Sequence, residues 1–170
     1  LASQLLAQRG DRVLMADPTY PCNRHFMALA EAEVDVVAVG PESGWQLDAQ
    51  LIDAHWRDET RLAMLATPSN PTGHTLDAPH LSAVIDTVQA RGGTLLVDEI
   101  YQGLTYGVEP LSAVSLSQDA FVVNSFSKYF GMTGWRLGWV LGPPECIETL
   151  GRAASAIDGR MIEEMQAAGT

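Results

Sequence analysis

With 170 residues, 46% of them hydrophobic and 18% charged, the chain has the balance of an ordinary globular protein with room for one sizeable core, not that of a disordered segment. Its formal net charge of -11 argues against a nucleic-acid or anionic-membrane partner, which would demand clustered cations. A small anionic ligand held by one or two local positive groups stays open.

The chain starts with helical spacing over residues 1–9, without an initiator Met or an N-cap, as if it began inside a helix of something longer. Short apolar runs then alternate with helical stretches. Strands are expected at Arg12–Ala16, Val34–Val39, Arg61–Ala66, Thr94–Val97, Ala120–Asn124 and Leu137–Leu141. Several are apolar on both faces, which suits a sheet covered on both sides by helices, and the chain reads as a layered α/β fold. Helices are expected over Pro21–Glu31, over Asp77–Ala90 and from Pro144 to about Ile157. The second has Asp77 as N-cap, a stripe of Leu81, Val84, Ile85 and Val88, and Gly92-Gly93 as its stop. No repeat or linker divides the chain.

Cys22 and Cys146 lie far apart with no C-x-x-C pairing, so neither a disulfide framework nor a thiolate metal site is indicated, and a reducing, cytoplasmic setting is expected. His25, His55, His74 and His80 show no metal-ligand spacing, and no metal is assigned. No apolar run approaches the roughly 20 residues of a membrane span, and no signal segment opens the chain.

In open α/β sheets ligands bind beyond the carboxyl ends of the strands, so the residues just after each apolar run carry the chemical information. Four such ends stand out. The stretch Ser125-Phe-Ser-Lys128 contains the only lysine of the chain; the other nine positive side chains are arginines. An amine at the end of a buried strand, partly stripped of water, can form a Schiff base. Ser125, Ser127 and Arg136 offer hydroxyls and a planar fork that suit a phosphate, although serines there could equally cap a helix and the arginine could stack on an aromatic ring. Asp98 ends a strongly apolar strand, where a carboxylate needs a cation or donor unless it merely caps the next element. Its neighbour Glu99 reads as solvated or structural. Tyr101 can aim its phenol at the same place or pack. Asn70 sits in a rigid Pro-Ser-Asn-Pro-Thr-Gly turn that would position an amide well. Tyr20, held between prolines in Pro18-Thr-Tyr-Pro21, can stack on a flat ring or plug the core.

Together, Asn70-Pro-Thr-Gly73, Asp98-Glu-Ile-Tyr101, Ser125-Phe-Ser-Lys128 and Gly134-Trp-Arg-Leu-Gly138 resemble, in order and spacing, the signatures of the pyridoxal-phosphate-dependent aminotransferases of class I/II, with the aspartate-aminotransferase-like fold. The resemblance runs from about Gly10 to Ile157. It implies a three-layer α/β/α architecture with a mostly parallel sheet, and residues 1–170 as a partial cofactor-binding large domain, lacking an N-terminal segment and a C-terminal small domain. It implies pyridoxal 5'-phosphate as cofactor, with Lys128 as the Schiff-base lysine and Asp98 paired with the pyridine nitrogen. Asn70 and Tyr101 would bond the phenolic oxygen; Ser125, Ser127 and Arg136 would hold the phosphate; Tyr20 would stack on the ring.

The implied reaction moves an amino group from an amino acid to a 2-oxo acid in a homodimer. The arginine for the substrate's α-carboxylate would belong to the C-terminal domain, so these 170 residues alone are expected to bind the cofactor weakly and turn over little. Two neighbouring readings share the site: a carbon–sulfur β-lyase, and the aminotransferase-like effector domain of a transcription regulator. A serine–lysine hydrolase is excluded, since its K-T-G companion needs a second lysine, and a dinucleotide-binding domain lacks G-x-G-x-x-G.

Overall fold

The computed structural model describes residues 2–152 and residue 155. Among the described residues, five α-helices flank one six-stranded sheet. The strands are β1 (Arg12–Asp17), β2 (Glu33–Ala38), β3 (Thr60–Ala66), β4 (Thr94–Asp98), β5 (Phe121–Ser125) and β6 (Gly138–Leu141). The helices are α1 (Ala2–Leu6), α2 (Cys22–Leu29), α3 (Ala49–His55), α4 (Ala78–Ala90) and α5 (residues 144–152). The expected helix from Pro144 thus begins where expected, and its stretch to Ile157 lies largely outside the described residues.

The strands stand in the order β2-β1-β3-β4-β5-β6; the first five are mutually parallel and β6 runs antiparallel to β5. All six expected strands are present, displaced by one residue at most of their ends. At β4 and β5 the displacement matters, because Asp98 and Ser125 are strand residues paired in the ladder's last rungs rather than loop residues.

Central strands are apolar on both faces because both are covered. Alternate residues divide between two cores. Leu14, Ala63, Leu65, Leu95, Val97 and Val122 pack beneath α3 and α4, while Val13, Met15, Leu62, Met64, Leu96 and Phe121 face α1, α2 and Leu150 of α5. This is the three-layer arrangement expected. Strand β2, at the sheet's edge, is largely solvated, with Val37 its one buried residue. Each fully buried leucine or valine in these layers contributes about 1.5–3 kcal/mol of transfer free energy.

Helix α4 follows its sequence closely. The Asp77 side chain accepts from His80 N at 3.0 Å, Leu81, Val84, Ile85 and Val88 are all buried, and Gly92 at φ +69° follows the end. Helix α3 has no counterpart among the sequence expectations. It is only seven residues long and buries Ile52 alone, so it carries too few turns to show a period; its signal is the N-cap Asp48, which accepts from Leu51 N at 2.7 Å. The expected Pro21–Glu31 helix is shorter at both ends: Pro21 serves as N-cap, and Glu31 has left-handed backbone at φ 58°.

The strand order reverses direction between β1 and β3. From β1 the chain goes outward to β2, returns past β1 to β3 and continues the other way. The loops after β1 and β3 therefore diverge, leaving a crevice at the carboxyl edge of the sheet.

Candidate functional site

A cavity of about 830 Å³ occupies that crevice. Each side arrives from a different strand end. Tyr20 follows β1, Asn70 follows β3, Asp98 closes β4 with Tyr101 just beyond, and Ser125 closes β5 with Ser127 and Lys128 just beyond. Because β6 is antiparallel to β5, its first residue lies at the same edge, and Arg136, two residues before it, enters the wall as well. All eight residues singled out from the sequence line this one cavity.

The connection from the turn after β5 to β6, residues 131–137, is tightly built. Arg136 has left-handed backbone (φ 53°, ψ 38°), a conformation that costs a non-glycine residue about 1 kcal/mol or more, and its Nη1 donates to Thr133 O at 3.1 Å. Gly138 permits a close approach: a Cβ there would meet Asn124 O at 2.7 Å. Ser125 Oγ accepts from Ser127 N at 3.1 Å, and Thr133 Oγ1 donates to Ser127 O at 2.7 Å. Ser127 is buried to 9% exposure. The hydroxyl-bearing turn is thus fixed by its own bonds, and the alternative that these serines cap a helix falls away: residues 126–130 form a turn.

Asp98 both caps and faces the cavity. Its Oδ1 accepts from Ile100 N at 3.0 Å, and no other hydrogen bond to its carboxylate is found among the described residues. Burial pushes its pKa up, with the Ile100 bond opposing. A carboxylate so placed gains most from a cationic N–H donor inside the cavity. Glu99 points the other way: it is 3% exposed, its Oε1 accepts from Ala113 N at 2.7 Å, and burial raises its pKa too. It is the structural residue of the pair.

Asn70 Nδ2 donates to Tyr101 Oη at 3.3 Å, so the turn after β3 and the segment after β4 converge on one point. Lys128 Nζ lies 5.7 Å from the centre of the Tyr101 ring, over its face. Lys128 is exposed rather than desolvated, because it stands three residues past β5 in an open turn. Tyr20 is 41% exposed on the wall and does not plug the core. Its phenol is pushed up, first by Cys22 beside it and then by its own burial, Tyr101 and Asp98.

The cavity also takes in Asn23, Phe26 and Thr133, which the strand-end reading passed over. Asn23 and Phe26 stand three apart on α2 and so share one face, the signal that would have found them. Among the described residues there is no cluster of His, Cys, Asp or Glu fit for a metal ion, and no helix long and apolar enough to cross a membrane.

Residues 1–159 match the family model described as aminotransferase class I and II. The chain is 40% identical over 152 residues to a valine–pyruvate aminotransferase of Mycobacterium tuberculosis, covering 88% of this chain and 38% of that protein. Among solved structures, an aminotransferase from Mycobacterium tuberculosis superposes with a TM-score of 0.81 at 38% identity, covering 94% of this chain and 41% of that one. The aspartate aminotransferase from Thermus thermophilus with maleate gives 0.85 at 28% identity, covering 91% and 41%. The chain therefore spans about 40% of the length of these relatives.

Proposed function

The chain belongs to the class I and II aminotransferases, and from that premise we propose that it is the cofactor-binding part of a pyridoxal-phosphate-dependent transaminase acting on an amino acid and a 2-oxo acid. The observation that carries this reading is the convergence of Tyr20, Asn70, Asp98, Tyr101, Ser125, Ser127, Lys128 and Arg136, from five strand ends, on one cavity holding the chain's only lysine.

The donor set fits the group. Ser125, Ser127 and Arg136 supply hydroxyls and a planar cation for a phosphate. Asp98, desolvated and bonded among the described residues only to Ile100 N, suits a protonated ring nitrogen, whose charge would draw its raised pKa back down. Asn70 and Tyr101, already in contact, meet a phenolic oxygen with two donors. Tyr20 covers a ring face, and Lys128 supplies the amine for an aldehyde. When bound, pyridoxal phosphate supplies an electrophilic carbon for amino groups and a ring that accepts the electron pair of a breaking Cα–H bond.

The chain's own part is then positional and acid–base. Lys128 would hold the group through its amine and, whenever that amine is free, would serve as the base that removes the substrate's Cα proton and as the acid that gives a proton back. Asp98 would pair with a protonated ring nitrogen. The Tyr101 ring lies beneath the Lys128 amine, 5.7 Å from its centre.

Exposed Tyr129, Phe130 and Trp135, in the connection from β5 to β6, support a homodimer in which the rim is covered, and two free thiols support a cytoplasmic setting. The test is a screen of amino donors against 2-oxo acids on the full protein. Ping-pong kinetics with keto-acid release support the reading; pyruvate and a thiol from a cysteine conjugate, without amino transfer, would move it to the β-lyases.

A further inference from the structure

The turn that carries Asn70 is held from outside by a residue far away in sequence. Gln46 is 3% exposed, and its Nε2 donates to two carbonyls, Ala66 O at 3.2 Å and His74 O at 2.9 Å. Ala66 is the last residue of β3 and lines the cavity, whereas His74 closes the turn on its far side. One carboxamide therefore spans the mouth of the loop. Within the loop, His74 O also accepts from Ser69 N, Ser69 O accepts from Gly73 N (both 2.8 Å), and Thr67 Oγ1 accepts from Leu76 N at 3.0 Å. Gln46 itself is well anchored, since the following residue, Leu47, is fully buried and Trp45 N donates to Gly40 O at 2.8 Å.

We infer that Gln46 is a positioning residue for the active site: by bridging Ala66 O and His74 O it sets the width of the turn and so the place of the Asn70 carboxamide against Tyr101. Thr67 Oγ1 spans the same mouth through Leu76 N, and Gln102 Nε2 reaches Thr67 O at 3.4 Å, but among the described residues Gln46 alone joins a carbonyl at the start of the turn to one at its end. The alternative role for a buried glutamine is to satisfy two strand-end carbonyls for stability alone. The two roles differ in whether removing Gln46 matters once Asn70 is gone.

The inference rests on the cofactor reading for one of its two readouts. In the full protein, Gln46→Met keeps length and apolar bulk while deleting the donor; Gln46→Asn keeps an amide too short to reach both carbonyls. The expected result is about tenfold weaker pyridoxal phosphate binding by absorbance titration, with faster amide exchange at Ser69 and Gly73. Asn70→Ala weakens binding comparably, and adding Gln46→Met to it produces no further loss. Additive losses, or unchanged affinity with only a lower Tm, would overturn the inference. So would failure of both Gln46 variants to fold, which would assign the two bonds to the fold itself. If the unsubstituted protein binds no pyridoxal phosphate, the cofactor reading fails, and exchange at Ser69 and Gly73 alone decides the role of Gln46.

Discussion

Strand β4 holds two regions of opposite character within five residues. Leu95, Leu96 and Val97 are 4%, 2% and 0% exposed and share both cores, while Asp98, the next residue, is a carboxylate that burial works against. The body of the sheet generates stability, and its carboxyl edge uses some of it to hold polar groups where a ligand can meet them. The same division recurs at β5, where Phe121 and Val122 are buried and Ser125 faces the cavity, and again before β6, where Arg136 keeps a left-handed backbone. A substitution in the body should therefore damage folding and spare chemistry, whereas one at the edge should do the reverse.

The sharpest separation is expected at Lys128. Lys128→Ala should lower transamination by the full protein by at least about 10³-fold, since one side chain is asked to be both nucleophile and proton carrier. Thermal melting without cofactor should be unchanged, because the side chain is exposed. Leu96→Ala is the converse: it should cost about 2–5 kcal/mol in denaturant unfolding, with turnover per folded molecule retained.

Asp98→Asn tests the edge's own cost. Burial raises the folded pKa of Asp98 above its unfolded value, so the folded chain binds the proton more tightly. Its charge then disfavours folding as pH rises through the interval between the two values, and the penalty is complete above the folded one. Asparagine keeps an acceptor for Ile100 N and removes the charge. The ligand-free variant should melt higher than the unsubstituted protein at neutral pH, the difference closing below the ordinary carboxyl range, while pyridoxal phosphate affinity falls. A lower Tm at neutral pH would deny that the edge is held at a cost.

The smallest effect is expected far from the site. Arg12 donates to both Asp35 oxygens, Nε at 2.6 Å and Nη2 at 2.5 Å, and this pairing lowers the Asp35 pKa. The sign is opposite to that of Asp98: the contribution is present above the unfolded pKa and lost as pH falls through the folded one. Asp35→Asn should lower Tm by about 2–4 °C at neutral pH, less in acid, with no change in cofactor affinity.

How much of this could be read from the sequence follows from what each element needs. β1, β3 and β4 are buried on both faces, so they show as unbroken apolar runs, and the chemistry at their ends falls where strand-end reasoning looks for it. Helix α3 escaped because one buried residue makes no period. Asn23 and Phe26 escaped because they come from a helix face, not from a strand end, and Gln46 because its partners are backbone carbonyls twenty and twenty-eight residues away, which leave no pattern. The open position of Lys128 also depends on a turn geometry that a strand pattern does not contain.

The central claim is that Lys128 is the point of cofactor attachment. Mixing the full protein with pyridoxal phosphate, reducing with borohydride and mapping the peptides by mass spectrometry tests it directly. The account predicts a stable phosphopyridoxyl adduct on Lys128, absent in Lys128→Ala; an unmodified Lys128, or an adduct unaffected by its removal, would contradict it.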